Sequence, residues 1–286
     1  MLTNMEWKDY SLISTGNGEK LERFGDVVLL RPDPQVIWEP PYPLEKKGMH
    51  AYYHRSSSGG GSWEIRKPVP DTFRIHWRSL TFELKLMNFK HVGIFPEQAV
   101  NWARMIDLIR GAQRDISILN LFGYTGGATV ACAKAGAKVC HVDAAKAMCD
   151  TAKLNCHLSE VDPVNTRFIV DDCVKFVERE IRRGKKYDAV IMDPPSYGRG
   201  PKGEMWKIEE KIFDLVRLTE RVLSDNPLFY LINSYTTGLQ PGVMKNILEI
   251  VLKKYGNKVV DADEIGIQAE DGLILPCGCS AIAKFI

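Results

Sequence analysis

The chain has 286 residues, of which 45% are hydrophobic and 26% charged, and 38 basic against 36 acidic side chains leave a net charge of +2. A chain of that size buries about 70–75% of its extended surface and suits one large or two modest domains, while 9% aromatic residues exclude disorder as its main state. No apolar run nears the roughly 18 residues that span a bilayer, and so small a net charge predicts no nucleic-acid partner, though it leaves room for a local patch.

The first residues, from Met1 to Asp9, carry neither the basic nor the apolar segment of a secretory signal. Seven cysteines, an odd count in a chain too large to need staples, predict reduced thiols and a cytoplasmic protein. Up to about residue 80 the chain reads as short strands separated by Gly, Pro and Asp: Val27-Val28-Leu29-Leu30, Gln35-Val36-Ile37-Trp38 and Phe73-Arg74-Ile75-His76-Trp77. Prolines crowd between Pro32 and Pro70 and leave little room for helix. The Ser- and Gly-rich stretch 55–62 reads as a surface loop between two strands. Residues 1–79 are therefore expected to form a small all-β domain.

Over residues 80–286 the pattern becomes strand, turn, helix, repeated. Ile116-Ser117-Ile118-Leu119-Asn120-Leu121 is a buried-strand run, and a helix over 128–135 follows, stopped by Gly136. Residues 138–142 make the next strand, after which Ala145, Met148, Ala152 and Cys156 recur on one face of a helix. Strands follow at 167–170, 188–192 and 228–232. Between the last two, Ile208, Ile212, Leu215, Thr219 and Val222 stripe a long helix. A final helix, 241–254, opens on Pro241 and closes before Gly256. The alternation predicts an α/β fold with a doubly wound, mainly parallel sheet, which binds ligands at the carboxyl ends of its strands.

Four strand ends carry residues suited to a ligand. In Asn120-Leu121-Phe122-Gly123-Tyr124-Thr125-Gly126-Gly127 the glycines allow a sharp turn and close approach to a ligand at a helix N-terminus. Asp143 follows Gly123 by about 20 residues, the spacing at which a carboxylate meets the hydroxyls of an adenosine ribose; its plainer role is to cap the next helix. Asp171-Asp172 ends the following strand, where one carboxylate can accept from an adenine amino group beside Cys173, or again cap a helix. Last comes Asp193-Pro194-Pro195-Ser196-Tyr197. Two prolines fix the backbone and remove two donors, which leaves the carbonyls around Asp193 and Pro194 to face a substrate. Beside the Asp193 carboxylate they form an edge suited to the amino group of a nucleobase, with Tyr197 as a stacking ring.

On these residues the chain resembles the class I S-adenosylmethionine-dependent methyltransferases. More narrowly it is similar to the bacterial 23S ribosomal RNA large-subunit methyltransferases of cytosine-C5 and guanine-N7 type, from the segment Asn17-Gly18-Glu19-Lys20-Leu21-Glu22-Arg23-Phe24-Gly25 to the closing strands. The resemblance implies a seven-stranded methyltransferase sheet over 80–286 behind a β domain, 1–79, that helps to hold RNA. It implies that Phe122, Gly123, Thr125 and Gly126 wrap the methionine part of the cofactor, that Asp143 takes the ribose, and that Asp172 and Cys173 take the adenine. His91-Val92-Gly93-Ile94-Phe95-Pro96-Glu97-Gln98 matches a segment that covers the cofactor in that family, which adds Phe95 and Gln98. The catalytic set it implies is Asp193, Pro194, Pro195 and Tyr197. Large-subunit ribosomal RNA is the implied partner, with no membrane partner and room for a homodimer.

Cytosine-C5 enzymes need a thiolate to attack the ring, and the family places that cysteine just after the fifth sheet strand. Here Asn233-Ser234 stands there. Cys132, Cys140, Cys149 and Cys156 read as small core residues, Cys277-Gly278-Cys279 lies far along the chain and could serve only if the last strands bring it to the site, and four spaced zinc ligands are not visible. Direct transfer to a ring or exocyclic nitrogen remains. The aromatic residue one place beyond Asp-Pro-Pro-Ser fits the ribosomal RNA enzymes better than adenine-N6 enzymes. Arg199, Lys202 and Lys207 with Trp206, in the loop that follows, suit RNA phosphates and a stacked base. Arg179, Arg182, Arg183, Lys185 and Lys186 read as a solvated helix end. A nicotinamide-dependent oxidoreductase would share the glycine-rich turn and Asp143 but give Asp193-Pro194-Pro195-Ser196 no role; a non-catalytic cofactor- or RNA-binding module is the third reading.

Overall fold

A computed structural model describes residues 1–3, 6–41, 48–56, 60–199 and 205–286. After a two-residue strand, β1 (Leu2–Thr3), come β2 (Tyr10–Gly16), β3 (Glu19–Phe24), β4 (Val27–Pro32), β5 (Ala51–Arg55) and β6 (Gly61–Ile65), which form a sheet in that order. All its pairings are antiparallel except β4 with β5. The hairpin β7 (Phe73–Trp77) and β8 (Leu80–Leu84) follows. Within this part Glu22 and Arg31 are buried together: the guanidinium donates to both carboxylate oxygens, at 2.7 and 2.8 Å, and Tyr10 donates to the same carboxylate at 3.0 Å. Removing either partner would strand a buried charge, which costs about 3–5 kcal/mol.

Gln35-Val36-Ile37-Trp38, expected as a strand, is not one. Pro34 and Pro40 flank it, and its carbonyls instead accept from the β2–β3 turn, Val36 from the Gly18 amide and Trp38 from the Asn17 amide, each at 2.7 Å. In the expected loop 55–62, Arg55 ends β5 and Gly61 begins β6; residues 57–59 lie outside the described set.

The second part contains α1 (Ala99–Gly111), β9 (Ser117–Leu121), α2 (Gly127–Lys134), β10 (Lys138–Asp143), α3 (Lys146–Leu158), β11 (Thr166–Val170), α4 (Cys173–Arg182) and β12 (Ala189–Met192). A small hairpin, β13 (Tyr197–Arg199) with β14 (Met205–Lys207), leads into α5 (Ile208–Glu220), β15 (Phe229–Ser234), α6 (Pro241–Val251), β16 (Lys258–Gln268) and β17 (Ile274–Phe285). The large sheet runs β1-β16-β17-β15-β12-β9-β10-β11. Its pairings from β15 through β12, β9 and β10 to β11 are parallel, and β17 lies antiparallel to β15. This is the doubly wound, mainly parallel sheet that the sequence predicts: seven full strands with β1 as a short edge. Ile118, Leu119, Val190, Ile191, Tyr230 and Leu231 are buried within it, each aliphatic side chain contributing about 1.5–3 kcal/mol.

The buried face of α3 is Cys149, Ala152, Asn155 and Cys156. The expected stripe was one residue out at its start, because Ala145 is the exposed N-cap and the helix begins at Lys146. The chain divides into two compact units: Met1–Leu2, Asn101–Ile265 and Cys277–Ile286 in one, Thr3–Val100 and Gly266–Pro276 in the other. The second thus reaches beyond the expected 1–79. Its additions bond within it: Lys85 donates to Val92 and Met87 to His91 at 3.2 and 3.1 Å, and Glu270 donates to Leu12 at 2.8 Å.

Candidate active site

The amino ends of β9 and β12 are stitched shut. Asp188, just before β12, accepts from the Ser117 amide and hydroxyl at 2.9 and 3.0 Å and from Ser224 at 3.0 Å, and it pairs with Arg114 at 2.9 Å. Burial alone would raise its carboxyl, but these partners hold it below the usual carboxylate range. The carboxyl ends of the same two strands open differently. From β9 the chain crosses to β10 on one side, and from β12 it crosses to β15 on the other, so a crevice is expected between the ends of β9 and β12.

The turn after β9 is tightly wound. Phe122 and Tyr124 have φ of 56° and 51°, and Gly126, the N-cap of α2, has φ of 87°. Two non-glycine residues in the left-handed region store strain that the surroundings must hold in place. The Phe122 amide donates to the Cys173 sulfur at 3.3 Å, the Gly123 amide to the Val142 carbonyl at 3.1 Å, and the Tyr124 amide to the Asp143 carboxylate at 2.9 Å. Asn155, reaching up from α3, donates to the Thr125 carbonyl at 2.9 Å. The turn also lies against the layer beneath. A methyl group on Gly123 would come within 2.4 Å of the His141 ring, and one on Gly126 within 2.7 Å of the Ala152 side chain.

Asp143 ends β10 beside this turn. Besides Tyr124, it accepts from the Ala145 amide at 2.8 Å, so it both ties the turn and starts α3. A carboxylate has about four acceptor positions, so these two bonds leave capacity for a ligand. Asp172 is the N-cap of α4 and accepts from the Lys175 amide at 2.9 Å. Cys173 is buried, and burial pushes its thiol up to about 12. Asp171 pairs with Arg179. These residues meet at the ends of three adjacent strands, β9, β10 and β11.

Asp193 follows β12 on the other side of β9. It is half-buried, Pro194 is buried and Tyr197 is 51% exposed. The turn is held from three directions: the Trp206 indole donates to the Pro195 carbonyl at 2.6 Å, the Ile208 amide to the Ser196 carbonyl at 3.1 Å, and Thr236 bonds the Ser196 hydroxyl. The Trp206 ring, half-exposed, lies 6.1 Å from that of Phe122. Asn233 is buried at the end of β15, where it accepts from Asn101 at 3.1 Å, and Asn101 accepts from Ser280 at 3.2 Å.

Lys207 pairs with Glu210 at 3.0 Å, an exposed bond of little energy. Arg199 lies on β13, and Lys202 falls outside the described residues. In the other unit, Phe95 caps a 3-10 turn, Pro96–Gln98, in which Gln98 is buried. Arg179, Arg183 and Lys186 are engaged by Asp171, Glu180 and the Arg221 carbonyl, as a helix end would be.

Sequence reasoning passed over the layer under the glycine-rich turn. Asn120 donates to Thr129 at 2.8 Å, and Thr129 is 2.9 Å from His141 Nδ1, all three buried. Burial pushes the imidazole down to about 4 and keeps it neutral. Its signal was a polar side chain in an apolar strand.

A family described as S-adenosylmethionine-dependent methyltransferase matches residues 30–247. A ribosomal RNA large subunit methyltransferase I from Aliivibrio fischeri (strain MJ11) is 30% identical over 129 residues, 45% of this chain and 32% of that protein. A ribosomal RNA large subunit methyltransferase K/L from Syntrophotalea carbinolica is 25% identical over 183 residues, 63% of this chain and 25% of that protein. The matches thus span a third or less of these relatives' lengths. The crystal structure of a SAM-dependent methyltransferase from Agrobacterium tumefaciens superposes with a TM-score of 0.92 at 32% identity, over 99% of this chain and 92% of that one.

Proposed function

Because this chain belongs to the family of S-adenosylmethionine-dependent methyltransferases, we propose that it transfers a methyl group directly to a nitrogen of a ribosomal RNA base. One observation carries the reading. Leu121 pairs with Met192, so the glycine-rich turn, tied to Asp143, and the Asp193-Pro194-Pro195-Ser196-Tyr197 turn leave adjacent strands at the switch point. The family match favours neither the oxidoreductase nor the non-catalytic module, and relatives named ribosomal RNA large subunit methyltransferases supply the substrate class.

The turn fits the cofactor, since the close layer beneath Gly123 and Gly126 lets only a bare backbone form its floor. Phe122, Gly123, Thr125 and Gly126 would hold the methionine part, Asp143 the ribose, and Asp172 with Cys173 the adenine; Phe95 and Gln98 complete the set. When bound, S-adenosylmethionine supplies an electrophilic methyl group. Asp193 and the carbonyl of Pro194 accept from the amino group of the base, Pro195 keeps that edge rigid, and Tyr197 stacks on the ring. Positioning of this kind contributes several kcal/mol, more than acid–base groups do. An amino nitrogen that takes the methyl group gives up one proton, for which the Asp193 carboxylate is the acceptor in this reading.

The closing strands bring Cys279 beside Ser234, where the family's cysteine would stand, since the two residues pair between β17 and β15. Against a covalent route, burial pushes Cys140 and Cys279 up to about 11 and Cys156 and Cys173 up to about 12, so these thiols stay protonated at neutral pH. Brief treatment with iodoacetamide at pH 7 is expected to leave methyl transfer within about twofold of the untreated rate, as these thiols are protonated and hidden. Loss of activity in step with alkylation of one buried cysteine would reverse this.

In the same reading, the N-terminal β unit helps to hold RNA, and Arg199, Lys202 and Lys207 meet its phosphates. Large-subunit ribosomal RNA is the partner, the protein is cytoplasmic, and a homodimer is allowed. The test is transfer of labelled methyl from S-adenosylmethionine to total RNA from a strain lacking the gene. Label is expected in large-subunit RNA, on a nitrogen identified by nucleoside mass spectrometry; label only in protein or small molecules refutes the RNA assignment. Calorimetry is expected to show binding of S-adenosylhomocysteine and none of NADH.

A further inference from the structure

Of the groups that bond the Asp193–Tyr197 turn, Trp206 also packs its ring beside the cofactor turn. Trp206 donates its indole N–H to the Pro195 carbonyl at 2.6 Å and packs its ring beside Phe122, 6.1 Å between centroids and 40° between planes. The Ile208 amide and the Thr236 hydroxyl bind Ser196. The β13–β14 pairing sets Trp206 opposite Gly198. Phe122 is itself held in the left-handed region at the first position of the strained turn, where a small rotation moves its ring.

We propose that Trp206 is a positioning residue that couples the two turns: a seated cofactor fixes Phe122, Phe122 fixes the indole, and the indole holds the Pro195 carbonyl so that the base-accepting edge beside it is ordered. The consequence is order of assembly. The base meets a finished edge only once the cofactor turn is occupied, and by linkage a bound base tightens the cofactor in return. A tryptophan serves because it offers both a broad ring for Phe122 and one donor for a carbonyl, whereas phenylalanine offers only the ring. The inference rests on the methyltransferase reading above and assigns Trp206 no contact with the reacting atoms.

The test is hydrogen exchange of the full chain, read at the Ile208 amide and over residues 193–199, with and without saturating S-adenosylhomocysteine. In the unaltered protein the ligand is expected to slow exchange at Ile208 by about tenfold, a size typical of coupling between sites. In Trp206→Phe, cofactor affinity by calorimetry is expected to stay within about threefold while the slowing falls below about threefold. A tryptophan with a structural role alone would speed exchange in the free and bound protein alike and leave the ratio unchanged. An unchanged ratio in Trp206→Phe, or no slowing in the unaltered protein despite binding, overturns the coupling and leaves the methyltransferase reading standing. No binding of S-adenosylhomocysteine by the unaltered protein overturns both.

Discussion

Asp193→Ala lowers the rate of methyl transfer by about a thousandfold and leaves the affinity for S-adenosylhomocysteine within about tenfold, as loss of one transition-state partner costs about 10²–10³ in rate. The asymmetry follows from position. Asp193 leaves β12, and the turn that meets Asp143 and Cys173 leaves β9. Bonds that hold the glycine-rich turn come from Asp143, Cys173, Val142 and Asn155. Removing the Asp193 carboxylate leaves those bonds standing and deletes the acceptor proposed to face the base. The Pro194–Pro195 backbone remains braced by Trp206, so the substrate edge keeps its outline without its charge. Rates with labelled cofactor and calorimetry with the product separate the two effects. Loss of cofactor binding, with the fold intact, would move Asp193 from the substrate side of the crevice to the cofactor side.

The strand ends were legible because of what a parallel sheet demands of its residues. β9, β10, β12 and β15 are covered on both faces and read as mainly apolar runs, and an acidic side chain ends β10 and another follows β12, where the strand must stop. Asp143 and Asp193 stood out for that reason. The plainer roles are real: Asp172 caps α4, and Asp143 binds the Ala145 amide. One carboxylate can serve a helix start and a ligand together, so the choice between those roles was never exclusive. Helix α1 was overlooked although Trp102, Met105, Ile106 and Ile109 are buried at helical spacing along it. The β13–β14 hairpin could not be read. Its strands have three residues each, and Gly198, Arg199 and Gly200 signal a loop by composition. What closes it is tertiary, the Trp206 bond to Pro195, and no local pattern announces such a bond. The inner layer of Asn120, Thr129 and His141 escaped for a related reason, since each residue is polar for the sake of another that lies 9 or 12 positions away.

That layer sets the second large effect. Gly123→Ala is expected to weaken S-adenosylhomocysteine binding at least a hundredfold, and the cause is contact rather than backbone freedom. Gly123 lies outside the left-handed region that its neighbours Phe122 and Tyr124 occupy, so an alanine there suffers no penalty in φ. Its methyl group would instead stand 2.4 Å from the His141 ring, far inside van der Waals contact. The ring cannot step aside, because it is fully buried, bonded to Thr129 and packed on Phe168 at 5.4 Å. The turn must therefore lift, which breaks the 3.1 Å bond from the Gly123 amide to Val142 and pulls Tyr124 away from Asp143. If that is the mechanism, space is the remedy. His141→Ala alone costs roughly 2–4 kcal/mol of stability through the cavity it leaves, yet combined with Gly123→Ala it is expected to restore at least tenfold of the lost affinity. Such a gain in the double variant is a coupling between neighbours that independent sites would not show. Calorimetry on the two single variants and the double one, with melting temperatures to confirm folding, decides it: no recovery in a folded double variant would mean that Gly123 is required for the ligand's own close approach.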